Sequence, residues 1–354
     1  MISWRRGIVS SLGNAWPGAV EIVADVDGAA VPALAYPPMV GTPQVGDVVL
    51  LNTTALDLDL GTGGYALVVA LPERLPPDAA DPGYLVKARY TPQQVSVSGA
   101  DAQESPHHEV LAHADSIDGM PVVIADLHSA LPAVLAGLRL SRPSTRVVYV
   151  MSDGGALPLW FSRTVAGLRS ASWLSATVTV GQAFGGDLET VTLHTGLLAA
   201  RHVLDAEVVV VAQGPGNLGT GTRWGYSGVA AGEAVNAVAA LGGRPVASLR
   251  ISDADPRTRH QGISHHSRTA YGRVALAAAD VVVPVLDEPL AGAVQSDLAA
   301  LGDRHRIVRV SVDGLAEALA SVPVRLSTMG RSLDEDLAYF LAAGCAGRHA
   351  ASLL

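Results

Sequence analysis

The chain has 354 residues, 49% of them hydrophobic, and a formal net charge of −9. A disordered chain is excluded, and the length suits two domains with a large core. The charge opposes a nucleic-acid or membrane-surface binder, because both need a basic face. No apolar run approaches the ~18–20 residues that span a bilayer. The start MISWRRG leads into no apolar signal-peptide segment, and the single Cys345 can form no intrachain disulfide, so a cytoplasmic setting is expected. Lys87 is the only lysine. Anion recognition therefore falls to arginine and backbone amides, and Schiff-base chemistry would have to use Lys87.

Residues 1 to about 71 read as all-β. Val20, Ile22, Ala24 and Val26 alternate with Glu21, Val23 and Asp25, the period of a half-buried strand. Asp27-Gly28 supplies a hairpin turn into 29–36. Gly46-Asp47 opens a strand over 48–51, and the turn 61–64 leads into 65–71. Short strands with glycine and proline between them predict a small barrel or sandwich, serving as a structural or self-association module or as a ligand-binding barrel. Residues 72–82, rich in proline and aspartate, read as the crossing between domains, and 83–97 as one more extended segment.

From about Glu109 the pattern becomes strand–helix alternation. The strands are expected at 121–127, 145–152, 176–181, 207–212, 245–252, 280–286 and 306–312, with a helix over 188–204 and a last helix from the capping box at 332–335 to about Gly344. Strands apolar on both faces that alternate with helices predict a Rossmann-like α/β fold, a parallel sheet with helices on both faces. The division is 1–105 for the barrel-like domain plus linker and 106–354 for the α/β domain.

Ligands bind at the carboxyl ends of strands in such a sheet. The strand ends lead into Asp126-Leu127-His128, Ser152-Asp153-Gly154-Gly155, Gly181-Gln182, the loop 213–227 (QGPGNLGTGTRWGYS) and Ser252-Asp253-Ala254-Asp255. In the 213–227 loop Gly214, Gly216 and Gly219 match G-x-G-x-x-G after a strand. Pro215 removes one N–H, however, and Asp253 lies 34 positions beyond Gly219, against about 20 for a dinucleotide fingerprint. A looser phosphate or carboxylate cradle by Gln213, Gly214, Gly216, Asn217, Gly219 and Thr220 is the better reading, with a tight structural turn as the alternative. Ser227 misses the nucleophile elbow because Val229 replaces its last glycine, and reads as a helix cap.

The next loop carries Asp253, Asp255, Arg257, Arg259, His260, His265 and His266 within fourteen positions. Ser264 would cap a helix running to about Ala279, whose first turn keeps His265 and His266 neutral, as metal ligation or general-base work requires. Arg257 and Arg259 could clamp an anion, while Asp253 and Asp255 could hold a metal or orient a histidine. The alternative is an exposed loop of solvated charges. His107, His108 and Glu109 form a second cluster, read as linker, and there is no HExxH or CxxC zinc signature.

The segments SDGGALP (152–158), GQAFGGD (181–187), QGPGNLGTGTRWGYSG (213–228) and RISDADPRTRHQGISHHS (250–267) together resemble a bacterial family catalogued as domain of unknown function 3866. The similarity extends to GDVVLLNTTALDLDLGTGGY in the β-rich part. This resemblance implies a bacterial, intracellular protein and supplies no catalytic residue. The residues themselves lead to an enzyme of hydrolase or transferase type acting on a small anionic metabolite, phosphorylated or nucleotide-like. Asp253, His260, His265 and His266 are its candidate catalytic residues, with Asp153, Gln182, Arg257 and Arg259 joining the loop residues in binding. A divalent metal is a candidate cofactor, and self-association to a homo-oligomer is expected. A non-catalytic ligand sensor or scaffold is the alternative.

Overall fold

A computed structural model describes residues 1–61, 63–78 and 83–354. Thr62 of the predicted 61–64 turn and residues 79–82 of the predicted crossing lie outside the described residues. The chain divides into one unit of Met1–Val97 with Trp160–Ala166, and a second of Ser98–Leu159 with Gly167–Leu354.

The first unit is a closed five-stranded barrel. Its strands β1 (Trp4–Trp16), β2 (Ala19–Val26), β3 (Ala29–Ala35), β4 (Val48–Asn52) and β5 (Ala66–Ala70) close in the order β1-β2-β3-β5-β4. All neighbours are antiparallel except β3 and β5, a Greek-key connectivity of the OB type. The predicted alternation in β2 places Val20, Ile22, Ala24 and Val26 in the barrel core beside Val9, Val49, Leu51 and Val68. Asp27 and Gly28 both take positive φ, at 53° and 85°, which matches the right-handed twist of a two-residue hairpin. Lys87 is fully buried in the short strand Leu85–Lys87.

The second unit is built on an eight-stranded, all-parallel sheet. Across it the strands run Leu188–Glu189, Ala176–Thr179, Val147–Ser152, Val208–Gln213, Pro121–Ile124, Arg244–Ser248, Asp280–Pro284 and Arg306–Val310. Every residue of Pro121–Ile124 and Val208–Gln213 is buried, so both faces of the centre are covered, as doubly apolar strands require. No helix among the described residues is long and apolar enough to cross a membrane.

The elements that differ from the sequence reading include two long helices. Leu188–Glu189 is an edge strand rather than a helix start. The helix begins at Leu193, where Thr192 accepts the Thr195 N–H at 3.1 Å. The last helix spans Leu337–Ser352 and passes through Gly344. Ser332 and Glu335 do bond, but they close the turn ahead of that helix. Gly344 continues the helix because it is a contact residue and not a stop. A methyl on Gly137 of the helix Leu131–Ser141 would lie 1.8 Å from Gly344 O, and one on Gly347 would lie 1.8 Å from Val134 O. The two backbones touch, which only glycine permits.

Strand order sets the position of the site. Pro121–Ile124 is flanked by Val208–Gln213 on one side and Arg244–Ser248 on the other. The chain leaves the first of these strands toward Val147–Ser152, and leaves Arg244–Ser248 in the opposite direction across the sheet. Such a reversal opens a crevice at the carboxyl ends. Two buried tyrosines hold that edge. Tyr271 donates to Ile124 O at 2.8 Å, and Tyr149 donates to Gln213 O at 3.0 Å, so carbonyls at the diverging strand ends are satisfied.

Candidate functional site

Four chain segments meet at the crevice: the Asp126 strand end, the 213–227 loop, the 250–266 segment and the start of the last helix. The sequence suggests why the 250–266 segment holds still. Ile251–Ser252 pairs with Gly262–Ile263, and Ser264 caps the helix His265–Thr269 by accepting the His266 N–H at 3.2 Å. That helix gives way to a π-helical turn over Ala270–Val274, short of the predicted end at Ala279. Such turns are rare, and they recur at functional sites.

This ladder and cap bring His260, His265 and His266 together. Their ring centroids lie 4.9, 4.9 and 4.4 Å apart, and one nitrogen from each lies within 4.8 Å of the others. His260 and His266 are buried and His265 is half-buried. Burial, then the charges of Arg250, Arg257 and His266, push the His260 imidazole down to about 2. Burial, then His266 and Arg259, push His265 down to about 4. Both rings are neutral at neutral pH, as ligands and bases must be. Among the described residues no other group of His, Cys, Asp or Glu has this spacing. His107 and His108 lie apart, with His108 Nδ1 bonded to Asp101 O at 2.9 Å.

Asp126 stands behind the cluster. It is 3% exposed, and its Oδ2 lies 3.7 Å from His266 Nδ1 with no hydrogen-bond partner among the described residues. His265 Nε2 and Gln213 Oε1 are likewise buried without a partner. Buried polar atoms are almost always paired, so three orphans at one edge mark a place built for something else. His128 engages a different partner, Tyr149 OH at 3.0 Å.

A salt-bridge knot fixes the segment from below. Asp255 is fully buried and meets three guanidiniums: Arg250 at 3.1 Å, Arg257 at 2.8 Å and Arg331 at 3.3 Å. Burial alone would raise this carboxyl, but the Arg257 hydrogen bonds outweigh it and hold it well below the usual range. Arg331 also binds the buried Asp336, just ahead of the last helix. Asp255 and Arg257 are therefore committed to each other. Arg259 is exposed and has no hydrogen-bond or ion-pair partner among the described residues. A methyl on Gly221 would lie 3.9 Å from its Nη2, so this cation sits where the two loops meet.

The glycine loop is a closed hairpin. Thr220 N–H donates to Gly225 O at 2.7 Å, and Leu218 N–H donates to Ser227 Oγ at 3.1 Å. Gly214 packs against Ala156 O, which a methyl would approach to 2.4 Å, and Gly225 packs against Thr220 Oγ1. Gly216 and Gly221 take φ of 93° and 80°. Close approach and positive φ thus account for these four glycines, while Gly219 bridges to Tyr226. Asn217 Oδ1 accepts from Gln213, Ser227 and Gly228, joining the strand end to the following turn. Ser227 opens that 3-10 turn and is not its cap, because its hydroxyl bonds back into the loop.

Beside the cluster is a cavity of about 410 Å³, lined by Asp126, Asp153, His194, Gln213, Ser227 and Glu233 among apolar walls such as Val180 and Val211. Asp153 is exposed at its rim and accepts the Gln182 N–H at 2.8 Å. Asp253 is not brought to the histidines. It faces a separate surface hollow with Asp287, Glu288, Asp334 and Glu335. Arg250, Tyr226, His194 and Glu233 carry no sequence motif. Their place at the site comes from strand order and loop packing.

Residues 32–347 match a family described as "Protein of unknown function (DUF3866)". No curated protein matches the chain.

Proposed function

The chain belongs to the DUF3866 family, and from the geometry of its site we propose that it is an enzyme of hydrolase or transferase type. Its substrate is a small metabolite with an anionic group. The observation that carries this reading is the double placement of Asp126, which lines the cavity and also backs His266 with an unpaired, buried Oδ2. A ligand lying in the cavity reaches the histidines past Asp126.

The charges assign the parts of that ligand. The cavity walls hold Asp126, Asp153 and Glu233 and no Lys or Arg, which suits the hydroxyl- or amine-bearing body of the substrate. The anionic group lies toward Arg259, the unpaired cation between the two loops. Arg257 is engaged by Asp255 and leaves that role to Arg259. The neutral cluster of His260, His265 and His266 activates the attacking group, and Asp126 orients the His266 imidazole.

The test is a thermal-shift screen of nucleotides, sugar phosphates and small carboxylates, followed by turnover assays on every compound that binds. A shift abolished by Asp126→Asn, with turnover, supports the enzyme. Binding without turnover supports the ligand-sensor reading, and no shift with any compound overturns both.

A further inference from the structure

We propose that His260, His265 and His266 form a binding site for one divalent transition-metal ion, of the zinc or cobalt kind. The inference deepens the reading of the same site given above, but it stands on donor geometry and not on any reaction.

The donor atoms come first. His260 Nδ1 is engaged by Ser264 Oγ at 2.7 Å, which leaves its Nε2 for a ligand. His266 turns Nδ1 toward Asp126 Oδ2 at 3.7 Å and Arg250 Nη1 at 3.5 Å, which leaves its Nε2 as well. His265 Nε2 is buried with no partner among the described residues. Each ring thus has a nitrogen to offer, and one nitrogen of each ring lies within 4.8 Å of one from each of the others. Bonds of ~2.0–2.1 Å at a tetrahedral centre place nitrogens roughly 3.3 Å apart, so closure needs ring movements of only about 1 Å.

The surroundings fit a metal that prefers nitrogen. Three imidazoles with no thiolate suit first-row transition metals such as zinc, nickel, copper or iron, whereas magnesium and calcium need oxygen ligands. Three protein donors leave coordination positions open, the pattern of a working site rather than a structural one. Ser264 and Asp126 supply the outer contacts that orient ligating histidines, and the Tyr226 ring packs flat on His266. The nearby cations mostly have carboxylate partners. Arg250 and Arg257 are tied to Asp255, and Arg268 is tied to Asp297 at 2.9 Å, leaving Arg259 at the exposed edge.

The experiment uses full-length protein without a histidine tag, stripped with EDTA and titrated with Co²⁺. Metal content is read by mass spectrometry and coordination by the visible d–d absorption. The expected result is one ion per chain with a d–d band that excess Mg²⁺ does not displace. His265→Ala, which alters a half-buried ring, should weaken Co²⁺ binding at least about tenfold while the circular dichroism stays native. Loading well below one ion per chain, or equal loading of His265→Ala, overturns the site. The two readings fail separately. Ligand turnover that survives EDTA, with no Co²⁺ bound, removes the metal and keeps the enzyme. Stoichiometric Co²⁺ in a protein that shifts with no metabolite does the reverse.

Discussion

The Tyr226 ring lies flat against the His266 imidazole, with centroids 3.7 Å apart and planes within 4° of parallel. Its hydroxyl reaches on to donate to His266 O at 2.8 Å. One side chain from the glycine loop therefore fixes both the ring and the backbone of the histidine cluster. Burial and the Asp126 charge raise the Tyr226 phenol above its ordinary range, so the hydroxyl stays protonated and keeps donating.

Tyr226→Phe keeps the stack and removes that donor. It leaves His266 O with the Ala270 N–H as its remaining donor, and the lost hydrogen bond should cost about 0.5–1.5 kcal/mol. Tyr226→Leu should cost roughly 0.5–1.5 kcal/mol more through the lost ring contact. Urea unfolding of the two variants checks both steps, and equal stabilities would show that the hydroxyl and not the stack does the holding.

Asp126→Asn preserves shape and removes the charge behind His266. The variant should fold with an unchanged melting temperature while turnover of any identified substrate falls about 10²–10⁴-fold, the usual worth of positioned acid–base chemistry. Unaltered kinetics would take Asp126 out of the site.

Asp255→Ala strips the shared partner from Arg250, which is 2% exposed, and from Arg331. An uncompensated buried charge costs about 3–5 kcal/mol. Arg257→Ala removes a cation that is 37% exposed and should cost under about 1 kcal/mol. Denaturation midpoints of the pair should differ accordingly, and similar midpoints would deny the knot its role.

Gly137→Ala and Gly347→Ala each place a methyl 1.8 Å from a backbone oxygen of the facing helix. The helices must separate, at about 1–3 kcal/mol or more. Gly61→Ala meets nothing within 4 Å and serves as the control. Calorimetry should show a lowered transition for the first two alone.

Burial pushes the His128 imidazole down to about 4, partly offset by its hydrogen bond to the Gln213 backbone. An unfolded histidine titrates near 6.5. Between these values the unfolded chain binds the proton and the folded chain does not, so stability is full above pH ~6.5 and falls as pH drops toward 4. The loss attributable to His128 is roughly 3 kcal/mol at most. His128→Asn should flatten the slope of stability against pH in that window, measured by urea midpoints. An unchanged slope would mean that other groups carry the acid sensitivity.

How much of the molecule was legible depends on the distance over which each feature is encoded. The barrel strands, the Asp27-Gly28 turn and the alternation of strands with helices come from side-chain period and local backbone preference, so the residues of β2 and of Val208–Gln213 announce themselves. The gathering of three histidines is also nearly local, because a short ladder and the Ser264 cap lie within the same segment. Asp126 is different. It lies 87 positions from Gln213 and 140 from His266, and joins them only because its strand sits between Val208–Gln213 and Arg244–Ser248. Strand order leaves no periodic mark, since every central strand is apolar on both faces whichever neighbour it takes. Asp253 and Asp255 read alike in the chain, yet packing turned one to the surface and closed three arginines around the other. Residue types and their local spacing determined which chemistry was available. Tertiary packing decided which of those groups were spent on holding the fold and which were left free at the crevice.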